Sequence, residues 1–67
     1  MTEDNLKRAD GLYRRLLQLR TDIRELGKEE LDAGDMYAAG SLTTVYDALG
    51  DTALELEFLI DNYENNE

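Results

Sequence analysis

Apolar side chains recur along this chain with the rhythm of two amphipathic helices. Ala9, Leu12, Leu16, Leu19, Ile23 and Leu26 alternate steps of three and four residues, the spacing of a helix packed on a helix. Ala39, Leu42, Tyr46, Leu49, Ala53, Leu56, Ile60 and Tyr63 repeat that spacing in the second half. No proline interrupts either run, and β-branched residues are too scattered for a strand. Thr2 is placed to cap the first helix, with Glu3 and Asp4 in the turn where the dipole favours anions. Glu3–Lys7, Asp4–Arg8 and Asp10–Arg14 add acid-before-base pairs one turn apart. Gly27 is a weak point, but Asp32-Ala33-Gly34-Asp35 is the stronger stop. Gly34 suits a left-handed position after the helix, and Asp35 can cap the second helix. Gly40-Ser41 offers a later start for that helix, with Ser41 as its cap, and Gly50 is a second weak point.

The expected fold is all-α, an antiparallel two-helix hairpin, with a broken or short extra helix near the turn as its variant. A turn at 34–38 pairs Ala33 with Ala39, Leu26 with Tyr46, Ile23 with Leu49 and Leu19 with Ala53. Leu16 then meets Leu56, Leu12 meets Ile60 and Ala9 meets Tyr63, while Glu30 spoils one layer of the seam. A loop over 27–38 would shift the register by a heptad; short connections are commoner, which favours the first register. Residues 1–67 make a single small helical domain, with 62–67 a frayed polar tail.

A hairpin buries one stripe per helix, and this chain has more to bury. Ala38, Val45 and Leu59 sit beside the second seam, Leu54 and Phe58 point away from it, and Tyr13, Leu17 and Leu31 lie off the first. Leu17, Leu54, Phe58 and Leu59 are therefore the candidate apolar patch for an oligomer or partner. Each would contribute ~1.5–3 kcal/mol if fully buried, which is large beside the net stability of so short a chain. A homodimer completing a four-helix bundle is expected.

Charge sharpens this picture because it is unevenly placed. The 67 residues hold 16 acidic and seven basic side chains, a formal charge of −9. All seven bases (Lys7, Arg8, Arg14, Arg15, Arg20, Arg24 and Lys28) precede residue 29, whereas 29–67 contain 11 acids and no Lys or Arg. Residues 1–28 thus carry about +2 and the remainder −11. Asp47–Asp51, Asp51–Glu55 and Glu57–Asp61 are like-charge pairs one turn apart, mildly destabilising unless a cation relieves them. Acidity weighs against direct binding to nucleic acid or to an anionic membrane surface. No apolar run approaches the ~18 residues of a membrane span, and the acidic start does not resemble a signal peptide, so a cytoplasmic location is expected.

The chain has no His, Cys, Trp or Pro. Disulfides, thiol or Ser–His nucleophiles, and His- or Cys-ligated metals are therefore excluded. There is no phosphate-binding glycine loop, dinucleotide fingerprint or EF-hand spacing. Glu25/Glu29/Asp32 and Asp47/Asp51/Glu55 are the carboxylate sets that could be considered for Mg²⁺, but they lie mostly off the expected seams. No catalytic, metal-binding or cofactor-binding residue is assigned, and no enzyme activity is expected.

What remains is binding. Carboxylates four residues apart on a helix rise ~6 Å per step, comparable with successive phosphates along a nucleic-acid strand. Asp47, Asp51 and Glu55, with Glu57, Asp61 and Glu64 on adjoining faces, would present such a row to a basic groove. The expected function is a small acidic module that regulates or inhibits a macromolecular partner. Its specific form is a nucleic-acid mimic acting on a basic nucleic-acid-binding protein, as small inhibitors carried by phages and mobile elements do. The alternatives are a homo-oligomeric assembly module and a nucleotide sponge using Tyr13 or Tyr37 with a nearby Arg. Solubility or adaptation to high salt would account for the acidity without any partner.

Overall fold

A computed structural model describes residues 1–64, and it places them in two long helices. α1 spans Glu3–Asp32 and α2 spans Met36–Glu64. Thr2 takes an extended conformation and its Oγ1 accepts the Asn5 amide at 3.1 Å, capping α1 as its residue type foretells. At the other end Gly34 adopts φ +86°, a left-handed backbone that a side chain disfavours. There the Gly34 amide donates to the Leu31 carbonyl at 3.0 Å and the Asp35 amide to the Glu30 carbonyl at 2.9 Å. Asp35 then starts α2: its Oδ1 accepts the Ala38 amide at 3.0 Å. One glycine and one aspartate thus reverse the chain in three residues.

That economy corrects three expectations. The turn occupies 33–35 rather than 34–38, since Asp35 already caps α2. Neither Gly27 nor Gly40-Ser41 breaks a helix, so there is no short extra helix near the turn and no loop over 27–38. The register also moves toward the turn. Gly27 faces Leu42, with 3.5 Å between a Cβ built on the glycine and the Leu42 Cβ. Arg20 reaches Tyr46 and Gly50, and Tyr13 reaches Glu57.

A fourth correction concerns which stripe of α1 packs on α2. Ala9, Leu16 and Ile23 lie on the seam as expected, but Leu12, Leu19 and Leu26 do not: they are 56%, 49% and 45% exposed. Tyr13, Arg20 and Gly27 take their place, all half-buried. α1 carries two adjacent heptad stripes that share Ala9, Leu16 and Ile23, and small residues decide between them. Gly50 leaves room for the Arg20 guanidinium, which a Cβ there would crowd, while Gly27 lies against Leu42, where a Cβ would make an ordinary contact. On α2 the expected stripe is the packed one, with Ala39, Ala53 and Ile60 buried. Tyr63 is the exception on that stripe, being 39% exposed.

The resulting core is thin. Among the described residues only Ala9, Ala39, Ala53 and Ile60 are buried, and no large side chain is fully buried. The chain exposes 5167 Å², against about 4,300 Å² for a compact monomer of its mass. Its radius of gyration is 15.3 Å, where a globular chain of this length would have about 11 Å. This is a rod of 51 × 15 × 12 Å with most of its leucines at the surface. No helix among the described residues is long and apolar enough to cross a membrane.

Candidate protein-interaction surfaces

Successive residues of a helix turn by about 100°, so the packed seam fixes which side chains share each face of the hairpin. One face carries Arg24, Lys28 and Leu31 of α1 beside Thr43 and Asp47 of α2, where they line an open cleft of about 330 Å³ near the turn. Farther from the turn the same face carries Leu17, Leu54 and the Tyr13–Glu57 contact. The opposite face carries Leu12, Leu19 and Leu26 of α1 with Val45 and Leu59 of α2, all exposed. The outer side of α2 carries Asp51, Glu55 and Phe58.

These faces divide the apolar patch expected from the sequence. Leu17, Leu54, Phe58 and Leu59 are all exposed, Phe58 by 58%. Leu17 and Leu54 lie together on the cleft side, with Phe58 one turn beyond Leu54 on the outer side of α2. Leu59 belongs to the opposite face, with the α1 leucines. Periodicity misses that second apolar surface, because it assigns Leu12, Leu19 and Leu26 to the seam. The signal that could have found it is the competing stripe Tyr13–Arg20–Gly27 lying opposite Gly50, a glycine spaced to receive a long side chain.

The acidic residues also divide. Asp47, Asp51 and Glu55 are exposed and form a row that winds about 40° around α2 with each four-residue step. Asp61 and Glu64 are exposed on the cleft side of the helix, and Glu57 is half-buried there. Phe58 lies between Glu55 one turn before it and Asp61 one turn after, an apolar projection bordered by carboxylates. Among the described residues no group of three or more carboxylates converges as a metal site, and Glu25/Glu29/Asp32 and Asp47/Asp51/Glu55 stay spread along their helices.

The cations of α1 do little to offset this charge. Arg14 pairs with Asp10 of its own helix at 3.0 Å, the one ion pair within 4 Å among the described residues. Arg20 donates its Nε–H to the Tyr46 carbonyl at 3.0 Å and lies over the Tyr46 ring, 3.8 Å from its centroid. Arg8 donates to Asn5 Oδ1 at 3.5 Å. Tyr13 is engaged with the acidic helix, its hydroxyl donating to Glu57 Oε2 at 3.3 Å. Burial, followed by the Glu57 carboxylate, holds that phenol above its ordinary pKa. Tyr37 is 86% exposed in the first turn of α2.

Comparison with protein-family models, with curated proteins and with solved structures finds no match to this chain. The functional reading therefore rests on the surfaces themselves.

Proposed function

We propose that this chain is a non-catalytic binding module, working as a dimer of hairpins, that regulates or inhibits a macromolecular partner through the acidic helix α2. The observation that carries the reading is the exposed row Asp47–Asp51–Glu55 with Phe58 beside it and no cation of α1 bonded to it among the described residues. Like charges held in a row on a rigid helix repel one another, so a cationic surface that covers them gains both attraction and relief of that repulsion. The phosphate-like rise of the row favours a basic nucleic-acid-binding groove as that surface, and Phe58 with Leu54 supplies the apolar anchor. Such an encounter would be fast and strongly salt-dependent.

The test is a partner recovered from the source cell and assayed with two variants. Reversing Asp47, Asp51 and Glu55 to Lys should abolish binding, and duplex DNA should compete with the unaltered protein for the partner. Binding that survives the triple reversal would reject mimicry. The exposed Leu12, Leu19 and Leu26 favour a second reading, an assembly module whose self-association is its whole role. Phe58→Ser with Leu54→Ser separates the two: loss of partner binding with the oligomer intact supports the regulatory reading.

A further inference from the structure

The packed stripe of α1 contains Arg20 while Leu12, Leu19 and Leu26 face outward, an arrangement that wastes apolar surface unless something covers the leucines. They recur every seven residues along one line of α1. On α2 the residues on the same face are Val45, Thr52 and Leu59, also seven apart, and neither line holds a charge. The opposite face is different, since Arg24, Lys28, Asp47, Glu57 and Asp61 interrupt it. The leucine face spans a rod of 51 × 15 Å, a footprint close to the ~800 Å² per partner that a standard stable interface buries.

We infer that a second copy of this chain covers this face, with α1 packed antiparallel on α1 and α2 antiparallel on α2, about a twofold axis crossing the helices at Leu19 and Thr52. The inference deepens the dimeric part of the proposed function and rests on it. Three features share that one centre. Leu12 and Leu26 are equidistant from Leu19, so each would meet the partner subunit's equivalent of the other, and Leu19 would meet itself. Val45 and Leu59 are equidistant from Thr52 in the same way. Tyr13 meets Glu57 and Arg20 meets Gly50 across the hairpin, which sets Leu19 level with Asp51, one residue from Thr52.

The charges flanking the leucines agree. Arg8, Arg15, Asp22 and Glu29 form the next line outward on α1, also seven residues apart, two positive and then two negative. Reversed against itself, that order sets Arg15 beside the partner subunit's Asp22 and Arg8 beside the partner subunit's Glu29, each pair made twice. A twofold axis parallel to the helices would instead lay α1 on the partner's α2. Arg15 would then find Glu55, but Asp22 would face Ala48 and Glu29 would face Ser41, leaving both acids unpaired.

The test uses the absence of native cysteine. Leu19→Cys, oxidised with diamide at micromolar concentration, should give a disulfide-linked dimer in high yield, because Leu19 lies on the axis. Leu12→Cys alone should not cross-link, whereas a refolded mixture of Leu12→Cys with Leu26→Cys should form the mixed species. As a check independent of cysteine, Arg15→Asp and Asp22→Arg should each weaken the dimer about tenfold, and together should restore it. A dimer by light scattering that cross-links through Leu12→Cys, or is rescued by pairing Arg15→Glu with Glu55→Arg, overturns this arrangement and leaves the dimeric reading standing. A monomer at 100 micromolar in sedimentation overturns both.

Discussion

Gly50→Ala should destabilise this protein, although replacing an interior helical glycine with alanine ordinarily stabilises by up to about 1 kcal/mol. A Cβ on residue 50 would lie 2.6 Å from Arg20 Nη2 and 2.9 Å from its Cζ and Nε. The guanidinium would have to withdraw, lengthening its bond to the Tyr46 carbonyl and lifting off the ring. A hydrogen bond from a charged donor contributes about 1.5–3 kcal/mol and the cation–π contact about 0.5–1 kcal/mol. The tip of an arginine can yield, so only part of this is lost. Set against the propensity gain, the net is about 1 kcal/mol of destabilisation, or ~4–8 °C in Tm for a domain of this size. Gly40→Ala is the control, because nothing lies within 4 Å of its added methyl; it should raise Tm. Both are read by thermal melts at one fixed protein concentration, since self-association would make Tm concentration-dependent. In an Arg20→Ala background the sign at position 50 should reverse, giving a coupling of ~2 kcal/mol. If Gly50→Ala stabilises as much as Gly40→Ala, or acts independently of Arg20, Arg20 does not hold the seam as described.

The turn and the surface charge give three further expectations. Gly34→Ala places a side chain at φ +86° and should cost roughly 1 kcal/mol or more in a urea melt; no loss would mean the turn can relax. The raised pKa of Tyr13 means that the fold favours the neutral phenol that donates to Glu57. Its contribution is therefore intact below pH about 10 and lost as pH rises through the raised value. The Tm difference between the unaltered protein and Tyr13→Phe should shrink above that pH, and a constant difference would contradict it. Raising KCl should raise Tm by screening the −9 charge. The rise should be smaller once Asp47, Asp51 and Glu55 are changed to Lys, which reduces the net charge by six.

The sequence announces the elements of this fold more clearly than their rotation. Thr2, Gly34 and Asp35 act through local backbone chemistry, and each stands where a cap or stop is needed, so the number and direction of the helices are legible from residue type alone. The seam of α2 is legible too, because one stripe carries an apolar residue at every step of three or four from Ala39 to Tyr63. α1 is ambiguous because Ala9, Leu16 and Ile23 belong to both candidate stripes, and periodicity prefers leucine to arginine in the choice between them. That choice depends on tertiary information: where Gly50 falls relative to Arg20, which in turn depends on a three-residue turn rather than five. The candidate surfaces inherit the same error. Leu54 and Phe58 are identifiable as off-seam from α2 alone, whereas the face of Leu12, Leu19 and Leu26 becomes visible only once α1 is rotated correctly.

That rotation also explains how one small chain could engage two different surfaces. With Arg20 folded onto Tyr46 and Arg14 held by Asp10, the side chains of α1 placed to answer the carboxylates of α2 are Arg24 and Lys28 at the turn end and Lys7, which shares a cleft with Glu64, at the open end. Arg8 and Arg15 flank the leucine face, where the outer acids of α1 can answer them in a second copy. Asp51 and Glu55, between the two ends of the hairpin, form no ion pair with α1 among the described residues. In a bundle closed through the leucine face, each hairpin would still turn Asp51, Phe58 and Asp61 outward, doubling the acidic surface instead of covering it. Self-association and capture of a cationic partner would therefore not compete for the same residues. Self-association would also present two copies of the acidic row to any partner large enough to span both, so a variant that fails to dimerise should bind a bivalent target more weakly while its single-site affinity is unchanged.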